Sequence, residues 1–488
     1  MQLTKTNFIQ YLSCPESLWL LKNKENEYPF GEFSLFQEKL RNEGFEVEHY
    51  AQLLFPDGLR LDEYIAPTAT KKELDKGLKF YFQPSFETSR GGYAVIDILE
   101  RSDNNTWHIY EIKSSTSIKT DSKHNQIKDA CFQKYVMTEA GYTVSKVSII
   151  NLNKGYIKNG DINPSELLEI VDITNEVNQI YSETVNEINT AFNFLKKDIS
   201  IDRCSCIEKT RSNHCDAFNY FNSEIDEHNI YELNRISVKK IKELRELGVS
   251  KIKDIPDNYN LTAKQQLQLV SNQKEEAVYD LKEIKNTLSE LKFPLHFIDY
   301  ETFPTAVPKI DGLSPHEQLT FQVSIHTLLS DGTLKHYEYL SDSLELPKKL
   351  IEYMESITGL TGTFVSWHAS FEKGRNDDMM RLFPEHKPYL DFMNTNMFDL
   401  ETIFTQYYVD YRFLGKTSIK NVLPVLVPEL SYKVLNVQNG TEALDTWGRL
   451  VLEPEKIEDK ESVRKDLLEY CKLDTLAMVK IYEKLIAL

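Results

Sequence analysis

Cysteine is scarce in this 488-residue chain, six in all, too few to staple a fold of this length as a disulfide scaffold would. Their uneven placement points to a bound metal instead. Long apolar runs are missing too, since no stretch approaches the ~18 apolar residues of a membrane span. The opening residues, Met1 to Ile9, lack the apolar centre of a signal peptide. A cytoplasmic protein without membrane contact is expected. There is no basic excess either: 57 Lys and Arg face 75 Asp and Glu, a net charge of -18. That excludes a protein that coats nucleic acid by bulk electrostatics, though not an enzyme that acts on it. Only residues 231 to 290 escape net acidity, with 11 basic against 10 acidic side chains. The rest of the composition, 41% hydrophobic and 27% charged, is that of a folded chain. Its length predicts roughly three domains.

Periodicity places boundaries near 225 and 290. Residues 1–225 read as α/β. An opening helical stretch (Phe8, Tyr11, Leu12, Leu18, Leu20) precedes apolar runs at 92–100 and 107–113, which polar Ser102-Asp103-Asn104-Asn105 separates as a hairpin turn would. A helix at 127–140, a strand from Val144 to Leu152 and long amphipathic helices over 165–197 are expected to follow. Residues 226–290 read as a helical linker. Within it, Lys239 to Val249 predicts a helix, a tight turn at Gly248 and a second short helix before Pro256, a hairpin whose amides could grip a phosphate backbone. Residues 291–488 begin with a strand at 295–303, continue with strands at 320–329 and 363–367, and end in a helix of about 25 residues from Ser462.

Two strands of the first segment carry the first constellation. Asp97 interrupts an apolar run, and burying a carboxylate there needs compensation. In Trp107-His-Ile-Tyr-Glu111-Ile-Lys113, Glu111 and Lys113 share one face about 6 to 7 Å apart. Two carboxylates from adjacent strands can hold a hard divalent cation, and a lysine beside them can orient water and steady phosphate charge. Asp97, then Glu-x-Lys, then a helix carrying Gln133 resembles the PD-(D/E)XK nucleases of the RecB-like class. The resemblance implies catalytic Asp97, Glu111 and Lys113, with Gln133 as part of the motif and His49, after Gly44, as a metal ligand.

The cysteines form a second group. Cys14 lies in Tyr-Leu-Ser-Cys-Pro, and Cys204, Cys206 and Cys215 crowd together 190 residues later. Four thiolates complete a tetrahedral site, which means zinc or iron–sulfur. One N-terminal cysteine paired with three near the end of a domain is similar to RecB-like iron–sulfur nucleases, and that likeness implies a 4Fe-4S cluster, with zinc as the alternative. The spacing Cys-x-Cys-x8-Cys departs from the usual pattern there. Cys131 and Cys471 are expected to be ordinary buried thiols.

The last segment carries the third group. Asp299 and Glu301 are two apart in a strand, and like charges so placed need cations between them. Tyr470 and Asp474 are one turn apart on the final helix. Asp-x-Glu on a first strand with Tyr-x3-Asp on a late helix resembles the DEDD exonucleases of the RNase H-like fold, in which acids hold two metal ions and the tyrosine positions the attacking water. The matching middle motif is Trp367-His368-Ala-Ser-Phe371-Glu372, with Glu372 as the remaining acid and Asp399 a further one.

Taken whole, the chain resembles a bacterial family that joins a RecB-like PD-(D/E)XK domain to a C-terminal DEDD exonuclease domain. Phe55-Pro-Asp-Gly58 and Lys420-Asn-Val-Leu-Pro-Val-Leu-Val-Pro428 are phrases shared with it. The resemblance implies three parts, at 1–225, 226–290 and 291–488, and a nuclease with two active sites that uses Mg²⁺ or Mn²⁺, with DNA favoured over RNA, in DNA repair or phage defence. The alternatives are an RNA-processing exonuclease and a nucleic-acid-binding protein with degenerate nuclease domains.

Overall fold

In the computed structural model, which describes residues 1–31, 34–61, 66–102, 105–121, 123–199 and 202–488, the apolar run at 107–113 becomes a central strand, Trp107–Lys113. It pairs antiparallel with Ile98–Arg101 and parallel with Val144–Leu152. The parallel partner is reached through the helix Gln126–Glu139, as a parallel crossover requires. Six strands make this mixed sheet, and one large cluster of buried side chains includes Phe8, Leu18, Ile109, Phe132, Ile149 and Phe192.

The run at 92–100 is not one strand. It breaks at Ile96-Asp97 into Gly92–Val95 and Ile98–Arg101, which belong to different sheets. The break has a local cause: Asp97 Oδ2 accepts the Ile112 amide at 2.8 Å, so a side chain replaces a rung of the ladder. Asp103 and Asn104 of the expected turn lie outside the described residues. The segment 165–197 is not helical throughout either, because Leu168–Asp172 forms an edge strand antiparallel to Val144–Leu152 before the helix Thr174–Phe194 begins. Its apolar residues Leu168, Ile170 and Val171 serve a sheet, and tertiary pairing overrides the helical period there.

The contacts divide the chain into two compact units, residues 1–224 with 305–317 and residues 225–304 with 318–488. Residues 226–290, expected as a linker, are therefore part of the second unit. Within them the helix Val238–Glu246 ends at Gly248, whose φ is +75°, and a 3₁₀ turn, Ile252–Asp254, stands where a second helix was expected. In the first unit Ala306 and Val307 are fully buried in a second cluster with Val47, Phe82, Tyr110 and Ile150.

The second unit is built on a five-stranded sheet in the order Leu334–Leu340, Gln318–Leu328, Leu295–Pro304, Thr363–Ser366, Met397–Asp399. The first three are antiparallel and the last two join in parallel. Leu334–Leu340 was not expected from the sequence, although the Asp331-Gly332 turn before it is a hairpin signal. The final helix, Lys460–Ile486, packs against the sheet, where Gln322 Nε2 donates to the Leu467 carbonyl at 2.8 Å and Ser324 meets Thr475 at 2.8 Å. Among the described residues no helix is long and apolar enough to cross a membrane.

Candidate active sites and metal centre

In the first unit, alternation along Trp107–Lys113 puts Glu111 and Lys113 on one face. Glu111 is 1% exposed. Its Oε1 accepts the Lys113 ammonium at 2.7 Å and the Lys5 ammonium at 2.6 Å, and its Oε2 accepts Gln133 Nε2 at 2.5 Å. Lys113 also bonds Asp129 at 2.6 Å. Burial, then the Glu111 charge, pushes Asp97 up to about 7. Burial acts on Glu111 the same way, but Lys113 and Lys5 outweigh it and hold that carboxyl below its ordinary range. Burial would lower Lys113, yet Glu111 and Asp129 carry it to about 12. Asp97, Glu111, Lys113 and Gln133 are thus brought together. His49 is exposed on the helix Leu35–Leu53, its ring beside Tyr50 with centroids 5.5 Å apart. Lys5 and Asp129 escaped the sequence reading; Lys5 is 106 residues from its partner, and no local pattern announces such a pair.

The cysteine centre lies in the same unit. The sulphurs of Cys14, Cys204, Cys206 and Cys215 all lie within 4.8 Å of one another, a set that could bind a metal. Cys14 caps the first helix, Lys5–Ser13, and begins the next, Pro15–Asn23. Asn222 Nδ2 donates to Cys204 Sγ at 3.4 Å, a neighbour that steadies a ligand sulphur. Mutual hydrogen bonding pushes the Cys14 thiol up and the Cys204 thiol down, as in a set that shares protons until a cation replaces them. A single tetrahedral ion with bonds of about 2.3 Å spaces its sulphurs about 3.8 Å apart.

In the second unit, Asp299 and Glu301 project from the strand Leu295–Pro304, and their oxygens lie within 4.8 Å of each other and of Cys471 Sγ. Asp474, one turn from Tyr470 on the final helix, and Glu372, in the first turn of Ser370–Leu382, lie near enough for each to raise the Asp299 carboxyl. Burial is the larger cause for Asp299, which stands well above its ordinary range; it also takes Glu301 to about 8, Glu372 to about 7 and Asp474 to about 6. Glu372 Oε2 is buried without a partner. Gly440 lies against the same groups: a Cβ there would stand 3.5 Å from Glu301 Oε2 and 4.0 Å from the Tyr470 hydroxyl, ordinary contact distances. These observations fit bound divalent cations. Asp399 sits one step away, where Oδ1 accepts the His368 and Glu401 amides at 3.0 Å.

Several partners in this site carried no sequence signal. Tyr432 donates to Asp474 Oδ1 at 2.5 Å, and the Lys420 ammonium lies over the Tyr432 and Tyr470 rings at 5.3 and 5.4 Å. Lys420 lowers both Glu301 and Asp474.

The comparisons with known proteins follow this geometry in part. Residues 296–418 match a family model described as a domain of unknown function, DUF2779, a stretch that contains Asp299, Glu301, Glu372 and Asp399. The chain is 27% identical over 217 residues to "Uncharacterized protein MG366" of Mycoplasma genitalium, covering 40% of this chain and 32% of that protein. It is 26% identical over 220 residues to the MG366 homolog of Mycoplasma pneumoniae, covering 40% and 33%. It thus spans about a third of the length of these curated relatives.

The raised carboxyls have a measurable consequence. Without metal, the native state holds protons that the unfolded chain has lost, in a window from the ordinary carboxylate range near about pH 4 up to about 8 for Glu301. Stability of the metal-free protein therefore falls as pH rises through that window. Glu301→Gln should make the melting temperature fall less steeply across it, and an unchanged slope in calorimetry would show that Glu301 does not titrate there.

Proposed function

We propose that the chain is a metal-dependent nuclease with two active sites and that the second is a 3′ to 5′ exonuclease. The observation that carries this is the pairing of Asp299 and Glu301 within 4.8 Å of each other, with Asp474 and Glu372, from two helices, near enough to raise Asp299, beside Tyr470. Three antiparallel strands followed by two parallel ones support an RNase H-like reading of the second unit. A central strand bearing Glu-x-Lys beside Asp97 supports a PD-(D/E)XK reading of the first.

Mg²⁺ or Mn²⁺ at the four acids would neutralise the phosphodiester and activate water. Asp299, Glu301, Glu372 and Asp474 would hold the cations. Tyr432 donates to Asp474 through its hydroxyl, and Tyr470 would orient the water. In the first unit Asp97 and Glu111 would hold a cation, Gln133 keeps Glu111 in its rotamer, and Lys113 steadies charge developing on the phosphate. DNA is the proposed substrate, in repair or phage defence. The cysteine centre is read as structural. The resemblance implies 4Fe-4S there, whereas the sulphur spacing suits a single tetrahedral ion, and on that observation the proposal is a zinc staple.

Incubation of end-labelled single- and double-stranded DNA and RNA with Mg²⁺, Mn²⁺ or EDTA tests the reading. Asp299→Ala should abolish stepwise 3′ shortening while leaving the metal-free fold intact, because it relieves repulsion among buried acids; shortening at the wild-type rate would overturn the second site. Lys113→Ala keeps both carboxylates, so metal binding should persist while first-site cleavage falls by about 10²- to 10³-fold. Unchanged products on circular and linear substrates would make that unit a binding module. Anaerobically purified protein should be colourless with stoichiometric zinc, and Cys206→Ser should release it and make residues 1–225 protease-sensitive. A brown preparation containing iron would restore the cluster.

A further inference from the structure

Glu111 receives two ammonium groups where a nuclease motif of this type accounts for one. Lys113 comes from the same strand; Lys5 comes from the first turn of the first helix, and both reach the same oxygen, at 2.7 and 2.6 Å. Glu111 is already satisfied by Lys113 on one oxygen and Gln133 on the other, so a second cation is not needed to bury it. Lys5 nevertheless keeps 28% of its side chain exposed, against 1% for Glu111, so it borders both the buried carboxylate and solvent. Asp97 and Asp129 also act on it electrostatically.

Lys5 is held there by structure on both sides. Before it, Leu3–Thr4 pairs with Gly92–Val95, the strand that leads to Asp97, and the Leu3 amide donates to the Gly91 carbonyl at 2.8 Å. Thr4 caps the helix in a reciprocal box with Asn7. At the far end, about 14 Å away for nine residues, the helix closes on Cys14 of the cysteine centre. A four-carbon side chain on a helix fixed at both ends delivers its charge to one place.

Resting on the nuclease reading of the first site, we propose that Lys5 is a second phosphate-contacting ammonium there. It holds Glu111 in the free protein and turns to a non-bridging oxygen of the phosphodiester when nucleic acid binds. A divalent cation on Glu111 takes over the charge that Lys5 supplies, which frees the ammonium for the substrate. No proton is transferred; the contribution is charge neutralisation beside Lys113.

The test uses the full chain in an Asp299→Asn background, so that the second site is silent. Lys5→Ala should lower DNA cleavage by about 10²- to 10³-fold, and Lys5→Arg should recover most of it. A second readout needs no catalysis: with Ca²⁺ in place of Mg²⁺, to occupy the carboxylates without supporting cleavage, the dependence of log Kd for a single-stranded oligonucleotide on log salt should become shallower by about 0.7 in Lys5→Ala, the loss of one phosphate contact. Circular dichroism checks that the variants fold, and Lys5→Gln replaces Lys5→Ala if that one does not. If the background protein cleaves and Lys5→Ala cleaves as fast with an unchanged salt slope, the role of Lys5 is overturned while the nuclease reading stands. If the background protein cleaves nothing, the nuclease reading of this site fails, and the role of Lys5 falls with it.

Discussion

Buried like charge is the constraint on which both candidate sites depend. In the second unit Glu301, Glu372 and Asp474 are buried and Asp299 is half-buried beside them; Lys420 lowers Glu301 and Asp474, and His368 lowers Glu372. A fold does not keep such a group of acids for stability, because uncompensated buried charge is among the most destabilising arrangements available to a protein. The sheet and the final helix have to hold the acids apart from water yet near each other. They do so through bonds that do not involve the acids, such as Gln322 to the Leu467 carbonyl and Ser324 to Thr475.

The first unit solves the same problem with its own cations. Lys5 and Lys113 sit on Glu111, Lys113 reaches Asp129, and the Ile112 amide serves Asp97. The result is visible in the opposite behaviour of the two glutamates: Glu111 is held below the ordinary carboxylate range, and Glu301 is pushed to about 8. A pre-neutralised carboxylate is ordered before any ligand arrives. The acids of the second unit share protons instead, and divalent cations would compete with those protons for the same oxygens.

Much of this was legible in the sequence where one element carries the pattern. Glu111 with Lys113 and Asp299 with Glu301 follow from a period of two, and Tyr470 with Asp474 from a spacing of four on a helix. The cysteine set was legible because three of its members are crowded within twelve residues. What was lost is of two kinds. Lys5, Tyr432 and Lys420 reach their partners across long stretches of chain, and a single lysine or tyrosine carries no spacing to read. The strand Leu168–Asp172 and the split at Asp97 depend on which neighbour offers a ladder, a tertiary choice that periodicity does not encode.

Glu372 sits in an arrangement that structural needs alone do not explain. It occupies the first turn of Ser370–Leu382, where the unpaired amides of the helix favour negative charge. Its carboxyl is nonetheless raised to about 7 by burial, and its Oε2 is left without a partner at 2% exposure. A glutamate kept for structure would direct both oxygens to donors, since an unsatisfied buried acceptor costs about 1 to 3 kcal/mol. Here the backbone on one side is itself strained: His368 sits at φ +66°, and its amide is turned to Asp399. The strained residue lies just before the helix that carries Glu372, so the backbone at the start of Ser370–Leu382 and the unpartnered Oε2 are two costs borne at one place.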